Sequence, residues 1–343
     1  MSTALTLALL AVGLVLTPVL CRILGRNAGW PLAAVYLGAA ALYAPALTAG
    51  PRTEAADVSV PWVSLGELTV HASFSADPIA SVFTLIALLI GAVVLIYSTR
   101  YLEPGPNLSF YLGMALFTLA MVGLVTADDL IVLFLCWELT SLASFLLIAR
   151  SGQGAFAPSM RTLLITFVGG LTLLAAVALI AVRTGTTSIR EALASEVWAQ
   201  DPGLVALVGV LVAVAAMTKS AQFPFHSWLP DAMAAATPVS AYLHAAAVVK
   251  AGIFLLLRFS PVFHGDTAWQ VLLVTVGLIT SAVGGWRALQ QTDLKKLMAY
   301  STVSQLGLIV AAIGTGTEAG IAAALIHTIA PVSYTHLTLP TKA

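Results

Sequence analysis

The stretch Met217-Thr-Lys-Ser-Ala-Gln-Phe-Pro-Phe-His-Ser-Trp-Leu-Pro-Asp-Ala-Met233, with Thr237-Pro-Val-Ser-Ala-Tyr-Leu-His-Ala-Ala-Ala-Val-Val-Lys-Ala-Gly252 shortly after it, decides the fold of this chain. It is apolar like a membrane helix, yet it contains prolines and ionisable side chains. Those side chains are Lys219, His226, His244 and Lys250. A charge near the bilayer centre costs about 2.5 to 3.5 kcal/mol on insertion scales, so chains that keep several usually transport ions.

The composition of the 343 residues also indicates a membrane protein. Hydrophobic residues make up 59%, charged residues 9%, and the mean hydropathy is +0.98, whereas a soluble domain carries about 25% charged residues. The net charge is zero, with 15 basic and 15 acidic residues, which gives no electrostatic reason to expect a nucleic-acid partner. The two cysteines, Cys21 and Cys136, lie in apolar runs, so we expect no disulfide framework, metal site or cofactor.

Ten apolar runs approach the roughly 20 residues that a spanning helix needs. They are residues 3–24, 30–49, 79–97, 110–126, 130–149, 163–182, 203–225, 239–257, 269–286 and 299–314, and an eleventh begins near residue 319. The first run lacks a basic n-region and a cleavage site, so we interpret it as a helix and not a signal peptide. The sequence therefore predicts an all-α polytopic membrane protein.

The basic residues of the loops predict the orientation. With the N-terminus outside, eight basic residues fall inside and four fall outside. The eight are Arg22, Arg26, Arg100, Arg150, Arg161, Arg287, Lys295 and Lys296, and the four are Arg52, Arg183, Arg190 and Arg258. We predict a multi-pass protein of a bacterial-type plasma membrane with its N-terminus outside. For Lys295 and Lys296, simple topogenic charge is the plainer interpretation.

Two of the predicted outer connections have local structure. Between residues 68 and 75 apolar and polar residues alternate, the period of a half-buried strand, which predicts a short hairpin. Ser188 and Glu191 form a capping-box signature, and apolar residues recur every four positions from Ile189 to Val197. This pattern predicts an amphipathic helix that lies on the outer face.

Two opposite charges fall inside predicted spans. Glu138 lies nine residues into the fifth span, near mid-bilayer, and Lys219 lies in the seventh. Each is costly to bury alone, and we expect each to offset the burial of the other. The alternatives for Glu138 are a protonated side chain that hydrogen-bonds a neighbouring helix, or one that faces a lipid headgroup.

Prolines predict that the seventh span is broken. Pro224 and Pro230 cannot donate backbone hydrogen bonds, and discontinuous helices at mid-membrane are typical of transporters. His226 would share a face with Lys219 only if the helix continued, and it is either a core residue or a proton carrier. In the eighth span, six residues separate His244 from Lys250, about 9 Å along one helix, a spacing for relayed protons and not for metal ligands.

Long strings of sequence resemble a known family. They are Val132-Leu-Phe-Leu-Cys-Trp-Glu-Leu-Thr-Ser-Leu-Ala-Ser-Phe-Leu-Leu-Ile148, the broken stretch 218–233, the run 237–244, and Asp293-Leu-Lys-Lys-Leu-Met-Ala-Tyr-Ser-Thr-Val-Ser-Gln-Leu-Gly307. They resemble the proton-pumping antiporter-like subunits, over residues 1 to about 330. Within that superfamily they look most like the A-type subunits of multisubunit Mrp-type sodium/proton antiporters, a family similar to the large membrane subunits of respiratory complex I.

The resemblance implies a fold of two inverted five-helix repeats, each with one broken helix. Residues 1–108 would hold the first three helices and the outer hairpin, 109–258 the complete first repeat, and 259–330 part of the second. Residues 331–343 match no family pattern, and we interpret them as a foreign tail in which Pro331 and His336 carry no role. With the second repeat truncated, this chain alone is not expected to transport.

The resemblance also implies the site. A Glu138–Lys219 ion pair would open and close and pass a charge change to Lys250 and then to His327, which keeps its family position. His244 belongs to the same proton pathway, and Pro224, Pro230 and His226 to the broken helix. The implied partners are other antiporter subunits, Na⁺, H⁺ and the lipid bilayer.

Two further functions are possible for such a chain. The first alternative is a proton-pumping membrane subunit of a complex I-like NADH:quinone oxidoreductase or a membrane hydrogenase. No haem, flavin or iron–sulfur ligand set occurs in the sequence, but subunits of that kind carry none either. The second is a structural scaffold, which predicts that the buried charges tolerate neutralisation.

Overall fold

The computed structural model describes residues 2–47, 58–65, 68–245 and 247–329. The helices within them are α1 Ser2–Leu24, α2 Gly29–Tyr43, α3 Pro78–Tyr101, α4 Leu108–Thr126, α5 Leu130–Ala149, α6 Gln153–Thr184, α7 Ile189–Leu193, α8 Val197–Gln200, α9 Pro202–Lys219, α10 Trp228–Asp231, α11 Thr237–Ala245, α12 Val248–Phe263, α13 Thr267–Leu289, α14 Leu294–Gly314 and α15 Glu318–Ile329. The two strands are β1 Val58–Leu65 and β2 Leu68–Phe74.

The number of spanning helices agrees with the sequence. Nine segments of the described residues are long and apolar enough to cross a membrane, and the first, Thr3–Leu47, contains both α1 and α2. Ten helices therefore correspond to the ten predicted runs. The eleventh is the shorter α15, of 12 residues. The all-α polytopic membrane fold is confirmed.

Small residues bring neighbouring helices together. In α1 and α2, Gly13 faces Val35 and Gly38 faces Leu9, so the two helices run antiparallel. In α13 and α14, a Cβ atom added at Gly277 would lie 2.6 Å from the backbone of Gly307. Such close approach supplies packing between helices where water cannot drive association.

The β1–β2 hairpin and the ends of several helices lie on one side of the molecule, which we call the hairpin side. β1 and β2 pair antiparallel, with Val60 opposite Ala72, which confirms the predicted hairpin. β2 also pairs with the α4–α5 link, since the Asp128 amide donates to the Ser73 carbonyl at 2.9 Å. This contact explains why Ser73 is buried although the alternating pattern places it outward.

The predicted amphipathic helix is two helices, α7 and α8. The Ser188 hydroxyl accepts from the Glu191 amide at 3.4 Å, as in a capping box. The Glu191 carboxylate instead accepts from the Thr186 hydroxyl at 2.7 Å, so the reciprocal half of the box is missing. Ile189 is buried against the bundle. The prediction of one continuous helix was wrong, because the segment consists of two short helices.

The seventh and eighth spans are both interrupted. α9 ends at Lys219 and is followed by a turn with a cis Phe223–Pro224 peptide, a 3₁₀ turn and the short α10, as the prolines predict. The eighth span was predicted to be continuous, and this is corrected: it consists of α11 and α12, and Ala247 before α12 is not helical. The predicted domain boundary at residue 258 falls inside α12, and the predicted tail 331–343 lies outside the described residues.

Candidate functional site

The amine of Lys219 is held by neutral groups of α5. Lys219 is the last residue of α9 and is fully buried. Its Nζ donates to the Trp137 backbone carbonyl at 2.5 Å and to the Thr140 hydroxyl. It also lies 4.2 Å from the centroid of the Trp137 ring, whose electron-rich face attracts a cation. The site therefore offers the amine three acceptors, none of which is an anion.

Glu138 follows Trp137 on α5, yet its carboxylate points elsewhere. The side chain is half-buried and lies beside a groove of about 400 Å³ between α5 and α6, lined mainly by leucines. The lining residues are Leu135, Glu138, Leu139, Ser141, Leu142 and Leu163. Its Oε1 is buried and has no hydrogen-bond partner in the described part of the chain. Such an atom retains its full desolvation cost.

The expected Glu138–Lys219 ion pair is not formed in this conformation. Among the described residues, the ion pairs join Arg161 to Asp231, Arg183 to Asp201, Arg190 to Asp128 and Arg258 to Asp77. Glu138 lies on α5 and Lys219 at the end of α9, and the Lys219 amine contacts Trp137 and Thr140 of α5 in place of the carboxylate. The geometry is that of a separated pair.

The broken segment after Lys219 is satisfied by protein groups. The Trp228 indole donates to the Thr218 carbonyl at 2.7 Å, and the Gln222 amide donates to the Met217 carbonyl at 2.9 Å. The Phe223 amide donates to the Thr280 hydroxyl of α13 at 2.9 Å. Non-helical backbone at membrane depth requires this kind of protein packing.

The prolines and histidine of this segment occupy different environments. Pro224 follows the cis peptide at an exposed turn, whereas Pro230 is buried in α10. His226 is half-buried and stacks on the ring of Phe223, with 5.9 Å between ring centroids. Because α9 ends at Lys219, His226 does not continue the helical face of that lysine.

Lys250 connects the first predicted repeat to α15. It is 1% exposed and lies in the first turn of α12, where its Nζ donates to the Thr328 backbone carbonyl. His244 is on α11, buried, and its Nε2 has no hydrogen-bond partner in the described residues. The expected 9 Å spacing along one helix does not apply, because His244 and Lys250 lie on different helices.

His327 faces a glutamine rather than Lys250. Its Nε2 lies 2.6 Å from the Oε1 of Gln305 on α14, and Lys250 contacts the neighbouring Thr328. The structure thus brings Lys250 to the end of α15 but not to the His327 ring. On the other side, Gly252 places α12 against Ala216 and Ser220, next to Lys219.

The hairpin side contains a second group of charges, which the sequence did not single out. Asp77 pairs with Arg258, and Arg190 lies 3.5 Å from Asp128, around a cleft of about 550 Å³. Burial raises the pKa of the Asp128 carboxyl above its usual range, against the lowering effect of the Arg190 guanidinium. Asp129 caps α5 and accepts from the Thr187 hydroxyl at 2.6 Å.

Sequence reasoning also missed the uncharged residues around Lys219. Trp137, Thr140 and Trp228 contribute the contacts described above, and their proximity to Lys219 arises only in the fold. Their position in or beside the quoted motifs was the available signal. Within the described residues, no cluster of three or more His, Cys, Asp or Glu side chains has the arrangement of a metal site.

Two family profiles match this chain. The profile described as NADH:quinone oxidoreductase/Mrp antiporter, transmembrane, matches residues 127–339. The profile described as NADH-ubiquinone oxidoreductase (complex I), chain 5 N-terminus, matches residues 62–112. The first covers more than half of the chain.

Named relatives and solved structures agree with these profiles. The putative antiporter subunit mnhA2 of Staphylococcus aureus strain MRSA252 is 45% identical over 264 residues, 76% of this chain and 33% of the relative. The same subunit of strain MSSA476 is 42% identical over 297 residues, 82% of this chain and 37% of the relative. The chain thus spans about a third of the length of these relatives.

The Mrp complex from Dietzia sp. DQ12-45-1b contains a chain that is 49% identical, with a TM-score of 0.91 over 99% of this chain and 37% of that chain. A membrane-bound sulfane sulfur reductase, an archaeal respiratory membrane complex, matches with a TM-score of 0.84 at 23% identity, over 98% of this chain and 70% of that chain. The second likeness is one of fold.

Proposed function

The chain belongs to the NADH:quinone oxidoreductase/Mrp antiporter family of transmembrane proteins, and from that membership we propose that it is an ion-translocating part of a multisubunit sodium/proton antiporter. It resembles the A-type subunits of such antiporters. Its partners are then the other subunits of the assembly, with Na⁺ and H⁺ as the transported ions. It is a transporter component and not an enzyme.

One observation carries the proposal: a fully buried lysine at the end of a broken helix, held by neutral oxygens beside a separated carboxylate. A lysine buried only for structure would gain most from a permanent anionic partner. Lys219 instead rests on Trp137 and Thr140, from which an anion can draw it away.

The mechanism follows from the two charge states of Glu138. A protonated carboxyl exerts no net attraction on the amine, which stays on the Trp137 carbonyl. Loss of that proton creates an anion in a medium of low dielectric constant, where unit charges attract far more strongly than in water. The amine then moves toward Glu138, and the change in field reaches Lys250 through the contact of α12 with α9. Repetition of this cycle is the proton step that the complete assembly couples to sodium movement.

The environment proposed for the protein is a bacterial plasma membrane, with the hairpin side and the N-terminus outside. The excess of basic residues on the opposite side supports this orientation. Arg150 supports it further, since it pairs with Ser109 and Asn107 at the ends of α4 and α5 that face away from the hairpin.

The alternative function is a proton-pumping subunit of a redox complex, which the 23% identical respiratory structure represents in fold. The two differ in driving force. We therefore propose to measure proton flux in inverted vesicles that contain the complete multisubunit assembly. Addition of Na⁺ should dissipate a preformed proton gradient, and NADH should not drive pumping through the assembly.

Lys219→Ala should abolish the sodium-dependent flux, as should Glu138→Ala. Lys295→Ala is the matched control, because Lys295 lies at the start of α14 on the side opposite the hairpin, away from the buried charges. Flux through the wild-type assembly that requires NADH and ignores Na⁺ would favour the redox alternative. Normal sodium-dependent proton flux in the Lys219→Ala variant would contradict the mechanism.

A further inference from the structure

Helix α6 contacts the helix of Glu138, α5, and the helix of Lys219, α9, through two consecutive glycines. A Cβ atom at Gly170 would overlap Oε1 of Glu138 and lie 2.7 Å from its Cδ and 3.2 Å from its Oε2. A Cβ atom at Gly169 would overlap the Thr218 hydroxyl and lie 3.2 Å from the Ala215 carbonyl. α6 thus lies against α5 at one glycine and against α9 at the next.

This requirement for glycine is local. Gly154 in the first turn of the same helix has no atom within 4 Å of a hypothetical Cβ. Glycine in the interior of a helix is less stable than alanine, because glycine loses more conformational freedom on folding. Two adjacent glycines at the one level of α6 where Glu138 and Thr218 approach therefore have a packing cause.

Space, and not hydrogen bonding, fixes the Glu138 carboxylate. Its Oε1 is buried and has no partner in the described residues, and it lies over the bare backbone of Gly170. If a side chain at residue 170 filled this space, no hydrogen bond would keep the Glu138 carboxylate in its position. The size of residue 170 therefore decides whether the carboxylate can occupy this position away from Lys219.

We propose that Gly169 and Gly170 form a glycine seat that positions the two charges: Gly170 holds the Glu138 carboxylate apart from Lys219, and Gly169 admits Thr218, the residue before Lys219. Both are positioning residues, since neither bonds to the amine. This inference rests on the proposed function, because the seat matters only if separation of the pair is a step of transport.

The first test is Gly170→Ala in the complete assembly, with sodium-dependent proton flux measured in vesicles. The added methyl group displaces the carboxylate from its seat, and residues in direct contact are energetically coupled, so we expect flux to fall at least about tenfold. Gly154→Ala is the matched control and should keep its flux. Equal flux in the two variants would overturn the proposal.

The second test separates positioning from simple packing. Glu138→Asp shortens the side chain by one methylene and withdraws the carboxylate from residue 170. In that background Gly170→Ala should change flux by no more than about twofold, a strong non-additivity. A defect of helix packing unrelated to the carboxylate would lower flux by the same factor in both backgrounds, which would overturn the proposal.

Assembly is measured in parallel as the amount of the protein in the membrane. If Gly170→Ala alone does not accumulate, the double variant with Glu138→Asp decides: restored accumulation supports the seat, and continued loss contradicts it. The proposed function is tested separately by the sodium dependence of wild-type flux, and the role of Glu138 in it by Glu138→Gln. Normal flux in Glu138→Gln would contradict that role, whereas lost flux in Glu138→Gln with normal flux in Gly170→Ala would contradict only the seat.

Discussion

At the scale of single residues, the central feature is a buried amine whose contacts are strong but neutral. Lys219 uses the Trp137 carbonyl, the Thr140 hydroxyl and the Trp137 ring in place of a carboxylate. Hydrogen bonds with a charged partner contribute about 1.5 to 3 kcal/mol, enough to hold a cation and little enough to release it. Each of these contacts tunes the balance between the separated and the paired state.

Thr140→Val should shift that balance toward pairing. The substitution removes the hydroxyl that accepts from Lys219 and keeps the shape of the side chain. We expect the pH midpoint of sodium-dependent flux to move, since the amine then leaves its neutral site more readily. Thr126→Val is the control, because the Thr126 hydroxyl donates to the Val122 carbonyl of its own helix at 2.7 Å. Identical pH profiles for both variants would contradict the role of Thr140.

Asp128 on the hairpin side makes a prediction about stability and pH. Its pKa is raised by burial, so the folded chain binds this proton more tightly than the unfolded chain does. Stability therefore falls as pH rises from the unfolded pKa, about 3.9, to the raised folded value, and stays lower above it.

The side chain in the Asp128→Asn variant cannot ionise, so the variant does not lose stability at this position as the pH rises. The thermal unfolding temperature of the variant minus that of the wild type should therefore be larger at neutral pH than below about pH 4. The measurement is thermal unfolding of the assembly in detergent at several pH values. A difference that does not change with pH would contradict the assignment.

The sequence predicted the identity of the charged residues but not their contacts. Glu138, Lys219 and Lys250 stand out because ionisable groups are rare in apolar runs. The separation of Glu138 from Lys219 depends on the direction of each side chain, which follows from α6 packing. No pattern within α5 alone encodes it.

Among the helices, the seventh and eighth spans are both interrupted, but only the first interruption is predictable from the sequence. Pro224 and Pro230 predict that the helix of the seventh span is broken, because proline lacks the backbone N–H donor. The run Ala245-Ala-Ala247 before α12 consists of the best helix former, so no local signal predicts that α12 begins only at Val248.

Trp228→Phe should destabilise the broken segment. The indole donor to the Thr218 carbonyl is lost, and a buried acceptor without a partner costs about 1 to 3 kcal/mol. We expect lower thermal stability and weaker flux. Trp286→Phe is the control, since Trp286 is 67% exposed on α13. Equal stability of the two variants would show that the indole bond contributes nothing.

At the scale of the whole molecule, the number of spans and the hairpin followed from hydropathy and alternation. The pairing of α13 with α14 and the contact of α12 with α9 did not, because they depend on glycines whose partners lie far away in sequence. Family membership accounts for the architecture, and the matched residues cover about a third of the length of the relatives.

The proposed orientation is tested with single cysteines in a background where Cys21 and Cys136 are replaced by serine. The test positions are Ser59, which is exposed on β1, and Lys296, which is exposed at the start of α14. A membrane-impermeant maleimide should label the Ser59→Cys variant in intact cells and the Lys296→Cys variant only after permeabilisation. The reverse pattern would place the N-terminus inside.

In the proposed mechanism Glu138 and Lys219 act as one switch. The most direct measurement is sodium-dependent proton flux by the complete assembly carrying Glu138→Gln, Lys219→Gln or both. Groups that act as a unit are not additive, so each single variant should lose flux and the double variant should be no worse than either. Normal flux in either single variant, or losses that multiply in the double variant, would contradict the claim.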